Sequence, residues 1–72
     1  MEEINQLIDY VNELKDSGIE IDLSIAFDDN AWCIQVYDLK HNCFWFNEEN
    51  KDLEILCMNC YDEITNNKYK EM

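Results

Sequence analysis

The alternation from Ile19 to Phe27 constrains this chain more than any other feature. Ile19, Ile21, Leu23, Ile25 and Phe27 take the odd positions, and Glu20, Asp22, Ser24 and Ala26 the even ones. Successive side chains on a strand point to opposite faces, so the pattern is that of a half-buried strand with one dry face and one wet face. A dry face must be covered, and the flanking segments have the patterns to cover it.

Upstream, Ile4, Leu7, Ile8, Val11 and Leu14 form a helical stripe within Glu2 to Asp16, with Glu2, Gln6, Asp9, Glu13 and Asp16 opposite it. Ser17-Gly18 closes that helix, the only glycine falling where a left-handed C-terminal residue is wanted. Downstream, Asp28-Asp29-Asn30 is a turn cluster, so Ile19 to Phe27 and Ala31 to Tyr37 are expected to pair as a hairpin. In the second strand Trp32, Ile34 and Val36 alternate with Cys33, Gln35 and Tyr37. After a polar connection from Asp38 to Asn42, Cys43-Phe44-Trp45-Phe46 reads as a short third strand in which Phe44 and Phe46 compete with Trp45 for the core.

Asn47 is expected to cap a last helix, with Glu48, Glu49 and Asp52 near its positive end. Leu53, Leu56, Cys57, Cys60 and Ile64 make its inward stripe, leaving Ile55, Met58 and Tyr61 beside or outside it. The fold class is therefore α+β: helix, three-stranded antiparallel sheet, helix (αβββα), in two layers. At 72 residues there is room for one domain, 1–72, whose tail from Asn66 to Met72 is expected to fray.

Composition narrows the function classes. Seventeen acidic residues face five basic ones, all lysines, for a net charge of -12. That charge opposes ordinary binding to nucleic acid or anionic membranes and favours partners with basic surfaces. Two Trp, four Tyr and three Phe in a chain that is 47% hydrophobic argue for a folded domain over a disordered acidic tail. Met1-Glu2-Glu3 is not the start of a secretory signal and no apolar run reaches bilayer length, so a cytoplasmic protein with free thiols is expected.

Cys57-x-x-Cys60 resembles half a zinc site, with Cys33, His41 and Cys43 as further ligand types. A second C-x-x-C is missing, and Cys57 and Cys60 lie on the inward stripe of a helix, where a free Cys acts as a small hydrophobe. No metal or other cofactor is expected. His41 reads as a solvated turn residue. Carboxylate pairs abound without a deep cleft, and there is no Gly-rich phosphate loop or serine nucleophile motif, so an enzyme is not expected.

The excess of acids exceeds the magnitude of roughly 2–8 that suits a small soluble domain. A fold that displays carboxylates among aromatics can occupy a basic groove made for phosphates. The expected partner-binding residues are Asp9, Glu13, Asp16, Glu20, Asp22, Asp28, Asp29 and Asp38, and the expected partner is a basic protein surface. The opening MEEINQLIDYVNEL, the Gly-closed turn and the following IEIDLSI resemble in layout small phage-encoded inhibitors of bacterial defence, among them certain type II anti-CRISPR proteins. That resemblance implies a stoichiometric nucleic-acid mimic that occupies a basic surface of a bacterial effector or nuclease in the host cytoplasm, and it carries over no site residue. The alternative is a structural or adaptor subunit that forms a homodimer or binds a host protein through Ile55, Met58 and the aromatic third strand.

Overall fold

The computed structural model describes residues 2–66, with helix α1 at Glu2–Asp16, strands β1 at Ile21–Asp28, β2 at Ala31–Asp38 and β3 at Cys43–Asn50, and helix α2 at Leu53–Asn66. The strands form an antiparallel meander in the order β1-β2-β3, and both helices pack on one face of it. The fold is the expected two-layer α+β arrangement. Asn66 is the last residue of α2 and not part of a tail; the rest of the expected frayed segment, 67–72, lies outside the described residues.

Local chemistry sets each boundary. Gly18, at φ +93°, ends α1 by donating its N–H to the Lys15 carbonyl at 3.0 Å while Ile19 donates to that of Leu14 at 3.0 Å. These paired bonds make a Schellman motif, and they account for Ile19 ending the helix instead of starting the strand. Asp29 and Asn30 both have positive φ, at 51° and 63°. Two consecutive left-handed residues between Asp28 and its partner Ala31 make a type I′ hairpin, whose twist matches that of the strands.

The C-terminal boundary differs from expectation. β3 runs through Glu48 and Glu49 to Asn50, and the cap of α2 is Asp52, not Asn47. Asp52 accepts from the N–H of Ile55 through Oδ1 at 3.3 Å, and its carbonyl accepts from Leu56 at 3.1 Å. Those are the side-chain and main-chain bonds of an N-cap.

A β-bulge resolves the competition within the third strand. Val36 pairs with Phe46 and Tyr37 with Phe44, so Trp45 is the unpaired extra residue. The irregularity breaks strict alternation, and Trp45 and Phe46 are both buried. Phe44 turns to the other face of the sheet, 47% exposed, with its ring at 4.9 Å from that of Tyr37.

The core lies between sheet and helices. Leu7, Val11 and Leu14 of α1, Leu56, Cys57, Cys60 and Ile64 of α2, and Ile21, Ile34 and Val36 of the sheet are buried there with Trp45 and Phe46. Along β1 cover thins from Ile21, which is buried, through half-buried Leu23 and Ile25 to Phe27, which is 57% exposed at the hairpin end. Phe27 is held there against Trp32, ring centroids 4.9 Å apart.

β1 and β3 are both antiparallel to β2 and so run in the same direction, and α1 and α2 pack against each other over the sheet. Tyr10 and Tyr61 meet edge to face across their seam, at 5.6 Å.

Candidate functional site

Helix periodicity assembles the first acidic surface. At 3.6 residues per turn Glu2, Asp9, Glu13 and Asp16 fall within about 60° of one another on the solvent side of α1, and all four are exposed. Asp9, Glu13 and Asp16 are separated by four and three residues, which places neighbours about 5–6 Å apart at Cβ. None of Lys15, Lys40 and Lys51 makes an ion pair with a carboxylate among the described residues. The line of charge on α1 is thus left to solvent or to a partner.

The other expected acids do not join it in one patch. Glu20 is exposed in the link to β1, where its carbonyl accepts from the N–H of Leu39 at 2.9 Å. Asp22 is exposed on the sheet face turned away from the helices, while Asp28 and Asp29 sit at the hairpin tip. Glu48, Glu49, Asp52, Glu54, Asp62 and Glu63 are exposed on the β3–α2 side, so acidity is not confined to one side of the molecule.

Asp38 is a correction. It is only 3% exposed, the one buried charged residue among those described, and therefore does not belong to a partner-binding surface. On β2 it continues the inward series of Ile34 and Val36. Its Oδ1 accepts the N–H groups of Lys40 and His41, each at 3.0 Å; its Oδ2 accepts Trp45 Nε1 at 3.0 Å and lies 2.7 Å from His41 Nδ1. Burial pushes the carboxyl pKa up. The His41 N–H, the His41 ring, the Trp45 indole and the His41 charge pull it down and prevail, holding it below the usual 3.8. An ionised carboxylate only accepts, so His41 Nδ1 carries the hydrogen of that bond. His41 is exposed in the turn, as expected, and its ring has in addition a partner in Asp38. The Asp38–His41–Trp45 cluster ties the β2–β3 turn to the rim of the core. The sequence signal was present: Asp38 is the next even position after Trp32, Ile34 and Val36, and His41 follows three residues later.

The thiols divide in two. Cys57 and Cys60 are fully buried on α2. Burial, followed by the Glu3 charge, raises the Cys57 pKa; burial, Cys57, Glu48 and Glu63 push that of Cys60 up to about 12. Cys33 is half-buried and Cys43 exposed, both on the sheet. Among the described residues no three His, Cys, Asp or Glu side chains are grouped to hold a metal ion. An open depression of about 330 Å³ lies between β3 and α2, lined by Phe46, Glu48, Asn59, Asp62, Glu63 and Asn66. Its lining attracts cations and repels phosphates.

Ile55 and Met58 are 46% and 50% exposed on α2. The third strand does not extend their apolar surface, because Trp45 and Phe46 are in the core and Phe44 is on the opposite sheet face. No described helix is long and apolar enough to cross a membrane. No family model, curated protein or solved structure matches the chain.

Proposed function

We propose that this protein is a non-enzymatic acidic binding protein that occupies a basic, nucleic-acid-binding surface of a bacterial effector or nuclease, in the manner of a phosphate-backbone mimic. The observation that carries the reading is the exposed line Glu2, Asp9, Glu13 and Asp16 on α1, unneutralised by any described lysine. Carboxylates fixed at regular spacing on a rigid helix present a basic groove with the charge it is built to hold, and association gains electrostatic steering. The layout resemblance to small acidic phage inhibitors supports the same function.

The adaptor reading has less support, since two of the three aromatic side chains on β3 are consumed by the core. The test is competition. The immobilised protein is incubated with bacterial lysate at low salt, with and without added duplex DNA, and the captured proteins are identified by mass spectrometry. Nucleic-acid-binding proteins that DNA displaces, and that are lost as salt is raised, are the expected result. A captured set indifferent to both DNA and salt would overturn the reading.

A further inference from the structure

We propose that the solvent side of the seam between α1 and α2 is a docking site for a basic amphipathic helix of a partner protein. The inference rests on the reading that the partner is basic, and it specifies how that partner is held. Ile55 and Met58 lie three residues apart and are therefore neighbours on α2. Tyr61, against Tyr10, marks the flank of α2 that faces α1. By helix periodicity Met58 and Glu54 lie between that flank and the outward direction, with Ile55 and Asp62 directed outward. On α1, Glu2 and Glu13 lie between Tyr10 and the outward direction, whereas Lys15 falls on the far flank.

The seam thus combines apolar side chains, Met58, Ile55 and the half-buried Tyr10 and Tyr61, with acids, Glu2 and Glu13 on the outer side of Tyr10 and Glu54 and Asp62 interleaved with Met58 and Ile55 around α2. A helix with an apolar stripe flanked by Lys or Arg matches both parts at once. Methionine suits such a surface because its flexible side chain adapts to what packs on it. Charge decides among the occupants. A second copy would bring acidic helices against acidic helices, and nucleic acid or an anionic membrane would be repelled in the same way.

The probe is a synthetic helix of Leu and Lys about five turns long, with Leu at the i, i+3, i+4, i+7 positions. Its control is a peptide of identical composition in scrambled order. Binding is measured by titration calorimetry at about 0.15 M salt and mapped by NMR on the wild-type chain. The expected result is that the amphipathic peptide binds at least about tenfold tighter than the scrambled one, with the largest shifts at Tyr10, Ile55, Met58 and Tyr61. Ile55→Ser with Met58→Ser leaves net charge unchanged and should abolish that preference, whereas Phe44→Ser on the opposite sheet face should not. Equal binding of both peptides would overturn the docking site but leave the acidic-surface reading standing. If neither peptide binds, both fall. A dimer in sedimentation that protects Ile55 and Met58 would assign the seam to a second copy and overturn the proposal; if the serine variants do not fold, the NMR map on wild type still decides.

Discussion

Trp45 Nε1 donates to Asp38 Oδ2 at 3.0 Å, so a bulged aromatic and a buried carboxylate hold each other in place at the rim of the core. Trp45 is inside because β3 carries one residue more than β2 at this point. Asp38 is tolerable inside because four donors surround its two oxygens. Asp38→Asn removes the charge and points N–H groups at existing donors. The expected loss is about 2–4 kcal/mol in urea unfolding at neutral pH, a large share of the roughly 4–11 kcal/mol a domain of this size holds.

That loss should depend on pH with a fixed sign. The folded pKa of Asp38 is lower than its ordinary value of 3.8, so the folded state binds fewer protons there than the unfolded state. The stabilisation is present above the ordinary value and disappears as pH falls through the lower, folded one. The part of the stability difference between wild type and Asp38→Asn that rests on the ionised carboxylate should shrink as pH falls below about 4. A difference that does not shrink below about pH 4 would contradict the assignment of Asp38 as the ionised partner of His41 and Trp45.

Cover over β1 is uneven, and core substitutions should grade with it. Ile34 is fully buried at the middle of β2, whereas Leu23 opposite Val36 is half-buried. Ile34→Asp should leave no cooperative melt by circular dichroism, because it places an unpaired charge where water cannot reach. Leu23→Asp should lower the melt while leaving a folded population. Equal effects would mean that the open end of the hairpin is more tightly covered than its exposure indicates.

The four thiols should react in two classes. Cys43 is exposed and Cys33 half-buried, while Cys57 and Cys60 are buried with raised pKa values, that of Cys60 at about 12. The thiolate is the reactive form, so a disulfide reagent at mildly alkaline pH should modify Cys43 first and Cys33 next. Cys57 and Cys60 should react only on unfolding, as read by mass spectrometry of the labelled chain. A chelator should leave the melting temperature unchanged; a drop would point to metal at Cys57 and Cys60.

What the sequence revealed and what it hid follow the range of the interactions. The α1 stripe, the stop at Gly18 and the hairpin at Asp29-Asn30 are local, each set by residues within a few positions, and are legible as such. The inward stripe of α2 is legible for the same reason. The burial of both Trp45 and Phe46 is not, because it requires knowing that β3 slips one residue against β2. The extent of β3 was hidden by Asn47, a good cap residue that the strand holds, bonded to Gln35 Nε2 at 3.2 Å. Asp38 reads as surface because it is one acid among many in an acidic chain, whereas the alternation of β2 carries it inward.

The acids of α1 should be a burden on folding if they serve binding. Glu13 and Asp16 lie in the last turns of α1, at the negative end of its dipole, where carboxylates are unfavourable by about 0.3–1 kcal/mol each at low salt. Asp9 and Glu13 repel one another one turn apart, and the whole chain carries -12. Replacing Asp9, Glu13 and Asp16 by Asn, Gln and Asn removes three charges and touches no buried side chain, since all three are exposed. The triple variant should melt higher than wild type at low salt by several degrees, at about 4–8 °C per kcal/mol for a domain of this size, and the gain should fade as salt screens the repulsion. The same variant should capture less of the partner that DNA displaces from wild type. Stability rising while binding falls is the signature of charge held for function at the expense of the fold. A variant that melts lower than wild type would show that these carboxylates support α1 itself, and the acidic line would then need no partner to explain it.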